Sequence, residues 1–490
     1  MYGCFIMILQ SLWTASILAS HHECFHNDSL HIFELFSSDR TSHQRIFHLK
    51  EVTFTHDRDI CFIAHHPSET ISPQLLHWSP IPRDRSCLVS PPILPDRERT
   101  EFQGNWNLDE LVTFINQQTF KFRKHDGTLN LLGEATESRL KQMYRVSFND
   151  TCDRIDISEL NQSTFLEKYL TIQRPLVIEN FLNKKNISLL HLLASHLQRK
   201  VGVKLSPSSE FEGIDDLSNW GTESSRRIPD FIQAQLQSPN KVVVRAAHEE
   251  MTLEDFLSLL IYSNNVSQLC DEVHAYIEYL PVSAYLPGLH ESLLHFEIKS
   301  KSIFENFVYG KSYLWLGDGN TVGKTHFDPF DNLLIQLEGS KTFLMADTSN
   351  SDKFREGHMR EAQLRFTSGE SQRFCHFQRD LLLESTSIVH SPIILSDVTA
   401  ADSIPTLSCA VHAGDALYVP SFWWHEVYSS PGPLQSFRGD NIRLNAAINY
   451  WFEPLYYKEF PCVECSKHLN KKYDPILEQL FGVLGSCSHI

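Results

Sequence analysis

The chain has 490 residues, 42% of them apolar and 11% aromatic, with a formal charge of −17 at pH 7. That apolar content excludes a largely disordered chain, and the length exceeds what one core fills, so about two to four domains are expected. The acidic balance and the lack of a long Lys/Arg run exclude a phosphate-backbone partner, so no nucleic acid is expected.

Cys4 to Ala19 (CFIMILQSLWTASILA) is apolar, but too short and too interrupted by Gln10 and Ser11 for a stable membrane span. It reads as a leader over residues 1–20, with small residues Ala15 to Ser20 near a cleavage point. Asn-x-Ser/Thr sites at Asn27, Asn149, Asn161, Asn186 and Asn265, together with 11 Cys, fit an oxidising lumen and a glycoprotein. The expected location is the secretory pathway or endoplasmic reticulum lumen. If the first segment is instead a buried helix or strand, the cytoplasm is the alternative.

Residues 21–125 are expected to form a small α/β domain. Asn107 caps an amphipathic helix that places Leu108, Leu111, Val112 and Ile115 on one face. Followed by FKFRKHDGTLN, it resembles the last helix and tail of thioredoxin-like domains in protein disulfide isomerases; a different small α/β domain is the alternative. No Cys-x-x-Cys occurs before residue 150, so a docking or structural role without dithiol chemistry is expected. Residues 126–150 read as linker and helix, and 151–300 as the approach to a second domain. There the pattern predicts helices at Ser163 to Tyr169, Ile187 to Leu197 and Met251 to Tyr262, the last capped by Thr252, and a strand at Pro175 to Ile178. A polar loop is predicted from Lys204 to Arg227.

The most informative stretch is Tyr313 to Met345, in the expected core 301–455. His326 and Asp328 are two apart, so an extended backbone sends both side chains from one face towards one ion. A hairpin follows: Asn332 to Leu337, a turn at Glu338-Gly339-Ser340, and Lys341 to Met345 returning. The hairpin is expected to bring Lys341 back towards the His326 end. A control copy of the motif, His26-Asn27-Asp28, lacks this hairpin and lysine. His425 follows Gly414-Asp415, a short strand and Trp423-Trp424. Two imidazoles and one carboxylate that leave three positions open suit non-haem Fe(II). Between them, residues 347–413 form an insertion with a charged helix at Asp352 to Arg365, read either as a substrate lid or as a solvated cover.

Taken together, His326-x-Asp328, Lys341, Gly414-Asp415, Pro420-x-x-Trp423-Trp424-His425 and Asn449-Tyr450-Trp451 resemble a JmjC-type, cupin-fold Fe(II)/2-oxoglutarate oxygenase, most of all the small JmjC protein hydroxylases. The resemblance runs from Arg174 to Pro454 and implies an α+β fold, a double-stranded β-helix (jelly-roll) core with helical flanks. It also implies Fe(II), 2-oxoglutarate and O2, with His326, Asp328 and His425 on the metal and Lys341 on the distal carboxylate of 2-oxoglutarate. Asn332, Asn449 and Tyr276 match further co-substrate positions, with Tyr279 competing for the last and Trp315 near the entrance. Gly323 stands where relatives carry a hydroxyl, so that contact is lost or passes to Thr325.

The implied activity is hydroxylation of a protein side chain. Removal of N-methyl groups from lysine is the alternative chemistry, and a non-catalytic lumenal scaffold the alternative class. The tail, residues 456–490, holds Cys462-x-x-Cys465, a structural disulfide, a redox pair or half a zinc site, with the first favoured. It also holds a predicted helix at Pro475 to Leu484 that packs on the barrel or supports a homodimer.

Overall fold

The computed structural model describes residues 31–37, 40–53, 60–65, 73–78, 99–119, 123–129, 133–134, 138 and 140–147. It then describes 150–473 except 183–188, 223–225, 264–272, 289–302, 305–306, 308, 369–374, 398–403, 464, 466 and 471–472. The expected leader, the sites at Asn27, Asn149, Asn186 and Asn265, and the helix expected at Pro475 to Leu484 lie outside the described residues.

Short apolar runs near the start form a four-stranded sheet of β1 (His31–Phe36), β2 (Ile60–His65), β3 (Gln74–Trp78) and β4 (Arg99–Glu101). Strand β1 is parallel to β2 and antiparallel to β3, which pairs antiparallel with β4. Helix α1 (Arg40–His48) follows β1, and α2 (Leu108–Thr119) follows β4. Leu111, Val112, Phe114 and Ile115 of α2 bury against Phe33, Leu35, Leu75 and Phe102. Asn107 Oδ1 accepts from Glu110 N at 2.9 Å and Glu110 Oε1 accepts from Asn107 Nδ2, which satisfies the first turn of α2.

From residue 150 strands dominate. First come β5 (Asp150–Thr151), β6 (Asp153–Asp156), β7 (Leu176–Glu179), β8 (Lys200–Ser206), β9 (Glu210–Asp216), β10 (Lys241–Arg245), β11 (Ala247–Thr252) and β12 (His274–Pro281). Next are β13 (Tyr309–Gly317), β14 (Val322–His326), β15 (Asp331–Glu338), β16 (Ser340–Ala346), β17 (Met359–Ser368) and β18 (Cys375–Ser387). The last are β19 (Leu407–His412), β20 (Ala416–Val419), β21 (Trp424–Ser430), β22 (Gln435–Phe437), β23 (Asp440–Ile442) and β24 (Asn445–Phe452). Two nine-stranded sheets result, ordered β18-β17-β10-β9-β14-β21-β16-β19-β5 and β11-β8-β12-β13-β24-β15-β20-β7-β6.

The facing sheets are the jelly-roll core that the resemblance implies. Strand β15 is buried on both faces because both are covered. Leu334 packs between the sheets with Phe343, Met345, Leu417, Trp423 and Ala447, whereas Leu333 and Ile335 join the outer layer with Ile448. By the two-residue period, Asn332 and Gln336 share the inner face with Leu334, and Asn445 and Asn449 share it with Ala447. Helices that coat the outside include α3 (Gln162–Phe165), α4 (Leu189–Ala194) and α5 (Leu253–Ser263). Thr252 Oγ1 accepts from Asp255 N at 3.1 Å and so caps α5. Asn161, the described member of the Asn-x-Ser/Thr sites, caps α3 by accepting from Thr164 N. Gly339 turns β15 into β16 with φ +71, and a Cβ there would lie 2.4 Å from Ser430 O, so the turn requires glycine.

Several local expectations are corrected. Asp352 to Arg365 is not a helix: its second half is β17, where Ala362 and Leu364 are buried and Arg365 exposed, a period of two imposed by pairing with β10 and β18. The loop expected from Lys204 to Arg227 contains β9, in which Phe211 and Gly213 are buried between charged neighbours. The helix expected at Ile187 to Leu197 is the shorter α4. Disulfides join Cys152 to Cys409 and Cys462 to Cys465, with Cα separations of 5.1 and 5.4 Å. Among the described residues no helix is long and apolar enough to cross a membrane.

Candidate active site

His326 ends β14 and His425 lies near the start of β21, and antiparallel pairing sets them directly opposite each other. Their ring centroids are 4.3 Å apart. Asp328 follows just beyond the strand, with its backbone oxygen accepting from Phe422 N at 2.8 Å and its Oδ2 3.9 Å from His425 Nε2. One donor atom from each of the three side chains lies within 4.8 Å of the others. Each imidazole donates through Nδ1 to the carbonyl two residues earlier: His326 to Lys324 O at 2.6 Å and His425 to Trp423 O at 2.9 Å. Those bonds fix the tautomer and leave both Nε2 lone pairs for a ligand. Burial, then the neighbouring His326, pushes His425 down to about 3, so it stays neutral. Burial raises Asp328, His326 lowers it, and Glu212 raises it, for a net upward shift.

Deeper between the sheets, Lys341 is buried and donates from Nζ to Ser429 Oγ at 2.7 Å. No carboxylate contributes to its environment, and burial alone pushes it down to about 7. Thr321 Oγ1 donates to the same Ser429 Oγ at 2.7 Å, and the Tyr276 ring centroid lies 5.9 Å from Nζ. A Cβ at Gly317 would come within 2.8 Å of the Tyr276 ring, so glycine makes room for that phenol. Trp315 Nε1 donates to Asn449 Oδ1 at 2.9 Å. Asn332 is 5% exposed, and its Oδ1 has no hydrogen-bond partner in the protein.

A charged group flanks the triad. Arg245 pairs with Glu212 and with Glu361, and His390 Nε2 lies 3.1 Å from Glu212 Oε2 while its ring stacks 5.6 Å from that of His326. Glu212 is half-buried; desolvation raises it, yet Arg245 and His390 hold it well below the usual carboxylate range. Glu278, 3.3 Å from Lys204, is pushed up to about 7 by burial and by Glu212. Beside these, Tyr279 packs on Trp315 at 4.5 Å and Trp451 at 5.5 Å and is 41% exposed.

The structure thus brings His326, Asp328 and His425 together, and gathers Lys341 and Tyr276 in one chamber, with Asn332 and Asn449 on the inner face of the barrel. Thr325 is not in that chamber. It lies on the other face of β14 and donates to Glu426 Oε2 at 3.1 Å; the hydroxyl at Lys341 is that of Ser429, which also accepts from Thr321. The hairpin also differs from expectation, since Met345 rather than Lys341 lies level with His425, and Lys341 pairs with Ser429 four positions further along. Glu212, Arg245 and His390 had no sequence signal beyond the alternation in β9 and β10.

Three such donors on a double-stranded β-helix form a candidate metal site of the kind that non-haem Fe(II) oxygenases use. Residues 162–458, more than half of the chain, match the family model of the cupin-like domain, and the chain belongs to that family. It is similar to the human bifunctional peptidase and (3S)-lysyl hydroxylase JMJD7, with 24% identity over 159 residues, 32% of this chain and 46% of the relative. It is likewise similar to JmjC domain-containing protein E of Dictyostelium discoideum, 22% identical over 183 residues (35% and 49%). The lysine-specific demethylase JMJ32 of Arabidopsis thaliana is 23% identical over 176 residues (34% and 48%). The chain spans about half the length of these relatives. The family match leaves the N-terminal α/β part, with its thioredoxin resemblance, outside.

Proposed function

We propose that this chain is an Fe(II)- and 2-oxoglutarate-dependent dioxygenase that hydroxylates a side chain of a protein substrate. The observation that carries the reading is the pairing of a His326–Asp328–His425 donor set with a buried, carboxylate-free Lys341 on the same sheet. The donor set fits a ferrous ion, because two neutral imidazoles and one carboxylate leave a net positive centre with open positions. The chamber fits a small diacid. Lys341 offers an ammonium to the far carboxylate, and Ser429, which accepts from Thr321, sets its direction. Ser429 is four residues from His425 along β21, on the order of 13 Å, a spacing a five-carbon diacid can bridge with its contacts.

Iron(II) with 2-oxoglutarate and O2 supplies the two-electron oxidation of an unactivated C–H bond. The protein positions the reactants: His326, Asp328 and His425 hold the metal, Lys341 anchors the co-substrate, and the apolar wall of Leu334, Phe343 and Trp423 excludes water. Near the triad, Glu212, which acts on Asp328, and Glu361 share one cation, Arg245, and this acidic excess supports a basic substrate side chain. The similarity to a lysyl hydroxylase supports the same choice, and that to a lysine-specific demethylase keeps N-methyl removal as the second reading. Incubation with lysine, methyl-lysine and arginine peptide libraries, read by succinate release and product mass, tests this. One added oxygen supports hydroxylation, loss of a methyl group supports the second reading, and no succinate above a His326→Ala control contradicts both.

A further inference from the structure

The two disulfides differ in access. Cys152 and Cys409 are sealed in the core between the sheets, beside Met345 and Phe343. Cys462 and Cys465 are only half-buried and flank Val463, which is 42% exposed. A solvent-reachable disulfide closing a four-residue loop is the kind that thiols open, whereas a buried one resists them.

This loop is fastened to the metal-binding end of the barrel. The buried carboxylate of Glu356 accepts from Lys458 Nζ at 2.6 Å and from Cys462 N at 2.9 Å, so it grips the chain on both sides of Phe460. The Phe460 ring lies 5.5 Å from Phe327 and 5.7 Å from Phe422. Phe327 sits between His326 and Asp328, and Phe422 N holds the Asp328 carbonyl. Phe460 is therefore a wedge beneath the loop that presents two of the three donors.

We propose that Cys462 and Cys465 form a reversible thiol–disulfide site, opened by a dithiol such as a partner protein's Cys-x-x-Cys, whose closed form holds Phe460 against the loop carrying His326 and Asp328. In the exchange a partner thiolate attacks one sulfur, forming a mixed disulfide as the Cys462–Cys465 bond breaks. The partner's second thiol then displaces that sulfur. Two electrons and two protons pass to this chain, and the disulfide passes to the partner. Opening frees Cys462 from its ring and loosens the Glu356 grip on the wedge. The coupling to metal rests on the dioxygenase reading of the triad; the opening of the disulfide does not.

Differential alkylation and peptide mass spectrometry on the full native chain, over a dithiothreitol redox series, report which pair opens. Co(II) titration of each form reports the metal site. Cys462–Cys465 is expected to open and reclose under conditions that leave Cys152–Cys409 intact, and opening is expected to weaken Co(II) binding about tenfold. The Cys462→Ser/Cys465→Ser variant should bind like the reduced form and ignore dithiothreitol. A pair that stays closed until the protein unfolds overturns the thiol site. Tight Co(II) binding that is equal in all forms overturns the coupling alone. Absence of Co(II) binding in every form removes the metal reading and the coupling together, while the alkylation result still decides the thiol site.

Discussion

Lys341 and Ser429 face each other across paired strands, Nζ donating to Oγ at 2.7 Å, and among the described residues no carboxylate offsets the effect of burial on this lysine. Burial holds the free lysine at about 7, so it is charged below that pH and neutral above. A dianion binds the charged form. Affinity for 2-oxoglutarate should be level below pH 7 and weaken by about tenfold per unit above it, with a proton taken up on binding. Calorimetry in buffers of different ionisation enthalpy measures that uptake, and Lys341→Met should abolish both the uptake and most of the affinity.

Trp315 and Asn449 form a second test. Asn449→Ala leaves the indole N–H without its acceptor, at a cost of about 1–3 kcal/mol. The Trp315→Phe/Asn449→Ala double variant should recover part of that loss. Denaturant unfolding of the four proteins in the cycle yields the coupling, and strict additivity would show that the bond contributes nothing.

How far the residues announced this arrangement depends on which interaction sets each element. The triad was legible because a hairpin with its lysine, β15 and β16, follows His326-x-Asp328, and because His425 follows a tight turn and a short strand. Lys341 by itself reads as a solvated turn residue and was legible only through its spacing from His326 and the family resemblance; its depth followed from register, which sequence does not display. The β17 segment read as a helix because its charges lie on both sides of a two-residue period that only its partners β10 and β18 define. Thr325 was misplaced for a similar reason: one residue of register separates the chamber from the Glu426 side of the sheet. The cluster of Glu212, Arg245, Glu361 and His390 draws on four distant segments, so no local pattern marks it.

Asp331 is fully buried and accepts from Tyr418 OH, Ser421 N and Leu455 N at 3.1, 2.9 and 2.8 Å. Asp331→Ala orphans all three donors next to Asn332. With each orphan costing about 1–3 kcal/mol, the loss of stability should reach about 3 kcal/mol or more. Thermal or urea unfolding checks this, and a change below about 1 kcal/mol would contradict the role.

Glu278 pairs with Lys204 at 3.3 Å and lies near enough to Glu212 for that charge to raise it. Glu278→Gln should raise KM for a lysine-bearing substrate while leaving 2-oxoglutarate affinity unchanged. Steady-state kinetics with each substrate varied in turn separates the two, and an equal effect on both would place Glu278 outside substrate recognition.

The most direct test of the centre is anaerobic addition of Fe(II) and 2-oxoglutarate, followed by the visible charge-transfer absorption of iron chelated by a 2-oxo acid. The wild type should show that band, His326→Ala and His425→Ala should lose it, and Lys341→Met should need far more 2-oxoglutarate to reach it. A wild-type protein that takes up neither iron nor 2-oxoglutarate, or a band that survives loss of both histidines, would contradict the assignment.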